Sequence, residues 1–376
     1  MKVTIIGAGP AGLAAAGALK QKGIQSTVLE QGDQVGNSWR GHYERLHLHT
    51  LRRLSGLPGY PIPVEMGKWV ARGDLVRYLE EYASKFHLEV RSGIEVQRIE
   101  RDERGWLVRT KTGDHAADRV VMATGYNRTP RLPEWPGMER YEKELIHSAR
   151  YRNATPYKDR KVLVVGSGNS GAEIAVDLLE GGAKEVMVSI RTPPNIQRRE
   201  FLGIATQQVG ILAEKLPVKL ADRISLALQK LAIGDLRRYG LDPPTRGALS
   251  RIYEDAQIPL IDVGFLDALK RRRLTVVPAV EGFAPQSVRL AGGIDIEVDA
   301  VIAATGYTRG LEAIVGHLGV LNQDGTPEPS GGASSPKAPN LYFIGYRNAP
   351  GGLLRRIRIE AEAMAEAVGR EPKPAA

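Results

Sequence analysis

Apolar positions in this chain fall into two rhythms, short continuous runs and longer stretches with apolar residues every three or four positions. Glycines stand where one rhythm gives way to the other. In residues 1–30 an apolar run at 3–6 enters a turn holding Gly7, Gly9 and Gly12. An alanine-rich, helix-forming run follows, and a second apolar run ends at Glu30. That order predicts strand, tight turn, helix, strand, with an acid about 20 residues past the turn. Residues 31–63 are rich in Gly, Pro and Arg and predict an irregular excursion, with one short alternating strand at Leu46, His47, Leu48 and His49. Residues 73–86 have helical spacing, with Asp74 in the first turn. Alternation at 88–90, 94–100 and 106–110 predicts a meander with one solvated face. Residues 118–126, DRVVMATGY, predict a buried strand entering a glycine turn, and Pro130, Pro133 and Pro136 mark an exposed connection.

A second unit then repeats the first. Residues 161–165 predict a strand, 166–171 (GSGNSG) the turn, 172–180 the helix and 184–191 the next strand. DAVIAATGY at 299–307 echoes 118–126. The tail predicts a strand at 340–346, then a helix at 351–368 after a Gly-Gly turn. Between 195 and 260 lies an amphipathic stretch interrupted by Pro217, which predicts a helical cap packed on the second domain. A membrane-surface role is the alternative, weakened by a polar face that is not strongly basic.

The repeated turn has a chemistry. Gly7 permits a bend that a side chain would block. Gly9 lets a pyrophosphate approach the backbone, and Gly12 lets the helix pack closely on the strand. The free N–H groups at the helix start face the phosphates. Pro10 and Ala11 complete this first loop. Glu30 suits the hydroxyls of a ribose. The second copy has Arg191 where the first has Glu30; a carboxylate there would repel a ribose 2′-phosphate, whereas a guanidinium binds it with paired hydrogen bonds. Arg198 and Arg199 lie just beyond. FAD is therefore assigned to the first site and NADPH to the second, the alternative for Arg191 being a surface salt bridge.

Composition narrows the picture. A chain of 376 residues has room for two or three domains, and 42% hydrophobic with 25% charged residues is ordinary for a globular protein. The net charge of +9 suits anionic partners such as NADPH or an acidic substrate. Aromatics are only 6% and the arginines are scattered, against a nucleic-acid surface. Arg271, Arg272 and Arg273 read as the solvated end of a helix. With no cysteine, disulfide, thiolate-metal and dithiol redox chemistry are excluded. No third metal ligand joins His47 and His49. The N-terminus superficially resembles a signal peptide, but the glycine turn and immediate second strand argue against one. No apolar run reaches about 18 residues, so no stable membrane insertion is expected and the cytoplasm is the default.

These motifs together resemble a flavin-containing monooxygenase, a class B flavoprotein monooxygenase, and within that group the plant YUCCA-type indole-3-pyruvate enzymes. The resemblance rests on GAGPAG at 7–12, GSGNSGAE at 166–173, the two ATGY strands, and the segments 216–244 and 258–270. IHSARY at 146–151 resembles the end of the family signature: Tyr141 stands at its Phe position, His147 and Tyr151 match, and Lys143 replaces its Gly. The resemblance implies an α/β fold of two Rossmann-like domains with parallel sheets in three layers. The NADPH-binding domain (155–310, helical cap about 200–260) would be inserted into a discontinuous FAD-binding domain (1–154 and 311–376). It further implies that NADPH reduces the flavin, which captures O2 as a C4a-(hydro)peroxide in a dry pocket and oxygenates a small amine, sulfide or 2-oxo acid such as indole-3-pyruvate. Baeyer–Villiger oxygenation is one alternative. Another is a reductase that passes electrons to a partner without oxygen transfer; a third is a non-catalytic NADP(H)-sensing module.

Asn169 and Ser170 are candidates to orient the nicotinamide or face the flavin, with helix capping as the plain alternative. His49 and Thr50 lie where similar enzymes run beside the flavin ring, and a buried hydrogen-bonded histidine is equally compatible. His147 reads as a brace of the interdomain linker rather than a general base. The cofactor contacts implied around the first turn are Gly7, Gly9, Pro10, Ala11, Gly12, Glu30, Gln31 and Trp39, with Ala123, Thr124, Gly125 and Gly345 further cofactor contacts. For NADPH they are Gly166, Gly168, Asn169, Ser170, Gly171, Arg191, Arg199, Ala304, Thr305 and Gly306. The oligomeric state is left open.

Overall fold

The computed structural model describes residues 1–103 and 105–370. They form two compact units, one of Met1–Gly41, Thr50–Thr129 and the chain from Tyr307 on, the other of His42–His49 and Pro130–Gly306.

The first unit is built on a five-stranded parallel sheet in the order Leu341–Phe343, Arg119–Met122, Val3–Ile6, Ser26–Leu29, Glu89–Arg91. The helix Pro10–Gln21 is buried from Pro10 through Leu19. Its small Gly and Ala residues let it pack closely, on the sheet and on the C-terminal helix Leu353–Arg370, with Leu13 and Leu19 filling the core. The alternating residues form an antiparallel meander, Val96–Asp102, Gly105–Thr110 and His115–Ala117. Trp106 and Ile99 point from it into the core.

The second unit repeats this plan. Its parallel sheet runs Thr275–Val277, Glu185–Ser189, Lys161–Val165, Ala300–Ala303, Glu144–His147. Its meander is Val280–Phe283, Val288–Leu290 and Ile294–Ile296. In both units the glycine-turn strand sits mid-sheet, with the ATGY strand on one side and the acid- or arginine-ended strand on the other. Ligands of such sheets bind at the carboxyl ends of these strands.

Three sequence expectations change. The strand Glu144–His147 pairs with Ala300–Ala303, so residues 130–154 travel with the second unit rather than the first. Residues 46–49 make no strand; they belong to a strap, 42–49, whose Tyr43 is buried in the second unit's core. The stretch 195–260 is partly helical, at Thr206–Ala213, Val218–Ile233 and Ala248–Glu254, but opens with a small hairpin, Glu200–Phe201 with Ile204–Ala205. Among the described residues no helix is long and apolar enough to cross a membrane.

Candidate active site

The two glycine turns are superposable in their chemistry. Gly7 has φ +104°, and a Cβ on it would meet the Ala123 carbonyl oxygen at 2.6 Å. Gly166 has φ +123°, and its Cβ would strike the Ala304 carbonyl oxygen. Side chains at Gly12 and Gly171 would strike the carbonyls of Gly7 and Gly166. So the first and third glycines of each turn are required by the fold itself, the first against the ATG segment of the neighbouring strand and the third against the first. The middle glycines differ: around Gly9 and Gly168 a Cβ meets nothing within 4 Å. Both have ordinary extended backbone and are the N-caps of their helices, without a side-chain cap. An uncapped helix start leaves its first N–H groups without an intrahelical partner, which is the chemistry an anion needs.

Around the first turn, Glu30 is buried and accepts N–H bonds from Ala8 (2.7 Å) and Gly32 (2.8 Å). This carboxylate therefore staples the turn to its strand, with lone pairs left on both oxygens. Gly36 N donates to the Ala8 carbonyl at 3.0 Å, which brings the short helix Asn37–Arg40, and Trp39 on it, beside the loop; Gln31 is exposed at its edge. Thr124 is fixed by Tyr346, whose hydroxyl accepts the Thr124 N–H at 2.9 Å and lies 2.8 Å from Thr124 Oγ1. Burial pushes the Tyr346 hydroxyl up to about 12, so it stays protonated. Gly345 lies against Ala11, 3.2 Å from its Cβ were it to carry one of its own. Gly7, Ala11, Gly12, Glu30, Ala123, Thr124 and Gly345 thus form one cluster. Gly125, at φ +95°, opens away from it.

Around the second turn, Gly166 N donates to the Ser189 carbonyl at 3.0 Å and Ser167 Oγ to Thr192 O at 3.4 Å, which brings the strand end to the loop. Arg191, between those two residues, is exposed and has no ion-pair partner among the described residues. A surface salt bridge is therefore not what holds it. Arg199 faces the Glu173 carboxylate electrostatically. Its guanidinium is half-buried, burial lowers its pKa, and the Glu173 charge opposes that shift. Asn169 is occupied: its Oδ1 accepts the Ile261 N–H at 2.6 Å and its Nδ2 donates to Pro259 O at 3.3 Å. It pins the strand Leu260–Asp262 to the helix start. Ser170 follows in the first turn, partly exposed.

His49 and Thr50 are neighbours in sequence but part company. Thr50 Oγ1 bonds Ser55 Oγ at 2.8 Å in the first unit. His49 Nε2 lies 2.7 Å from Glu173 Oε1 in the second, close enough for an ion pair though off the line of a hydrogen bond. Glu173, which the sequence did not single out, is buried on the helix Asn169–Glu180. Asp177 and Glu180 follow at i+4 and i+7 on the same face. Tyr151 donates to Asp177 at 2.6 Å, and Arg45 pairs with Glu180. The strap and Tyr151 therefore grip one acidic face of this helix. That spacing of acids was the available signal. His47 is exposed, with Nδ1 2.7 Å from Arg45 O. Replacing Glu173 by Gln removes the buried charge that faces both His49 and Arg199. It is expected to cost about 2 kcal/mol, read as a lower urea midpoint.

His147 Nδ1 accepts the Ala149 N–H at 3.1 Å, and Nε2 donates to the Gly306 carbonyl at 3.0 Å. That fixes a neutral ring as a brace under the second ATG turn, where Arg131 N also donates to Gly306 O and Thr305 Oγ1 to Arg131 O. Burial lowers the His147 pKa from its ordinary 6.5, with the Gly306 bond opposing. The folded value lies below the unfolded one. This group's contribution is thus complete above pH 6.5 and is lost as pH falls from there through the folded value. A His147→Gln enzyme, which keeps a donor but cannot titrate, should lose less stability than the parent in urea melts between about pH 7 and 5. Equal losses would contradict this.

Comparison with known proteins agrees with this geometry. Residues 4–202 match the family model for pyridine nucleotide-disulphide oxidoreductases. The chain is 37% identical over 308 residues to indole-3-pyruvate monooxygenase YUCCA1 of Oryza sativa subsp. japonica, covering 81% of this chain and 76% of that one. It is 34% identical over 383 residues to YUCCA8 of Oryza sativa subsp. indica, covering 97% and 90%. The chain belongs to the YUCCA-type flavin monooxygenases. It is an oxidoreductase with FAD and NADPH as cofactors. Among solved structures, a variant of the Stenotrophomonas maltophilia flavin monooxygenase matches at 26% identity and TM-score 0.73, covering 98% of each chain. A cyclohexanone monooxygenase matches at 19% and 0.74, covering 98% of this chain and 87% of its own, a likeness of fold alone. The disulphide chemistry in the family model's description has no counterpart here, because the chain holds no cysteine.

Proposed function

We propose that this enzyme uses NADPH and O2 for the oxidative decarboxylation of a 2-oxo acid of the indole-3-pyruvate type. The observation that carries the reading is the pair of open middle glycines, Gly9 and Gly168, in a chain 37% identical to an indole-3-pyruvate monooxygenase. In this reading the first unit holds FAD and the second NADPH. The residues present fit both: an uncapped helix start for each pyrophosphate, Glu30 for a ribose diol, and the unpaired Arg191 for a 2′-phosphate. Bound FAD supplies the redox centre through which two electrons from NADPH activate O2. One oxygen atom enters the substrate carbonyl carbon as its bond to the carboxyl carbon breaks. The products are the acid one carbon shorter, CO2, NADP+ and water.

The protein's part is binding and shielding. Thr124, locked by Tyr346, and Gly306, locked by His147, hold the two ATG turns against the glycine loops. The net charge of +9 favours an anionic substrate over a cationic amine. The proposal places the enzyme in the cytoplasm, where NADPH is available.

The test is an NADPH-oxidation screen over amines, sulfides, ketones and 2-oxo acids, with hydrogen peroxide measured alongside. A 2-oxo acid should raise turnover while lowering peroxide per NADPH. If amines or sulfides do so instead, the substrate class is wrong. If no compound does, the protein is a reductase.

A further inference from the structure

The helix Val218–Ile233 faces the wrong way for a protein core. Leu220, Ile224, Leu228 and Leu231, at i, i+4, i+8 and i+11, form one apolar stripe, yet they are 46%, 42%, 48% and 82% exposed. The helix cannot roll to hide them. Its other side is anchored by the buried Asp222, whose Oδ1 accepts the Leu249 N–H at 2.9 Å and whose Oδ2 takes the Ser250 hydroxyl, and by Gln229 Oε1, which accepts the Ile196 N–H at 3.0 Å. Upstream in the same unit, the hairpin Glu200–Phe201 with Ile204–Ala205 carries Leu202 at its tip, 86% exposed, between exposed Phe201 and Ile204. An outward stripe of this size on a globular protein marks a contact surface.

Charge says what it contacts. Every charge that the helix exposes is positive: Lys219, Arg223 and Lys230. Its one acid, Asp222, is buried. An anionic surface neutralises them. We infer that this face docks reversibly on an anionic lipid bilayer, with the leucine stripe in the headgroup region and the three cations among the lipid phosphates.

The test uses the FAD-loaded enzyme and vesicle flotation. It should float with mixed phosphatidylcholine–phosphatidylglycerol vesicles, at least about tenfold more than with phosphatidylcholine alone, and the difference should shrink in high salt. Leu228→Ser/Leu231→Ser and Lys219→Gln/Arg223→Gln/Lys230→Gln enzymes should each lose at least about fivefold of that binding while oxidising NADPH at the parent rate. No flotation of the parent enzyme at low salt would overturn the inference. So would a concentration-dependent dimer that the leucine variant abolishes, which would give the face to a second copy.

Discussion

A Gly9→Ala enzyme is expected to fold normally and to purify without FAD. The added methyl meets no protein atom within 4 Å, and the backbone at position 9 has φ −81° and ψ −174°, which alanine adopts freely. Its urea midpoint without cofactor should match that of the parent stripped of FAD. The methyl does occupy the space where pyrophosphate oxygens must reach the helix N–H groups, so FAD binding should weaken by at least about 100-fold, ~2.8 kcal/mol. Gly12→Ala is the contrast. There the Cβ runs into the Gly7 carbonyl, backbone against backbone, and the expected result is a destabilised or insoluble protein. The pair separates a nucleotide cradle from an ordinary glycine turn. A Gly9→Ala protein that retains FAD at full stoichiometry would show the open space to be incidental. Gly168→Ala should behave likewise at the second turn, keeping FAD but losing reduction by NADPH.

Arg191→Glu should reverse the nicotinamide preference. The exposed guanidinium of Arg191 has no ion pair to give up among the described residues, so little stability is at stake. Two charge-assisted hydrogen bonds to a 2′-phosphate, at about 1.5 kcal/mol each, predict a loss of about 150-fold in kcat/KM for NADPH. NADH, which presents hydroxyls to the same place, should change by no more than about threefold. The assignment fails if NADPH is not disfavoured relative to NADH.

What the sequence made legible was whatever depends on short spans. Both glycine turns, their helices and the ATGY strands are each encoded within about 30 residues, and residue type alone distinguishes Glu30 from Arg191. Long-range partnership was less visible. Alternation at Leu46–His49 looks like a strand, but the segment is held by the helix Asn169–Glu180 more than 100 residues on, through His49 and Arg45. The amide of Asn169 suits a ligand as well as it suits a strand, and the structure gives it to Pro259 and Ile261. Periodicity located the leucine stripe of Val218–Ile233 without saying which side would find a partner. That was decided by Asp222, whose acceptors are filled by Leu249 and Ser250.

In the proposed reaction one oxygen atom of O2 passes to an acid substrate at the expense of one NADPH. Turnover of indole-3-pyruvate under 18O2 measures it directly, with catalase present because free peroxide decarboxylates 2-oxo acids unaided. The predicted result is one 18O atom in the shortened acid and one CO2 for each NADPH consumed. NADPH consumption with no labelled acid would contradict it.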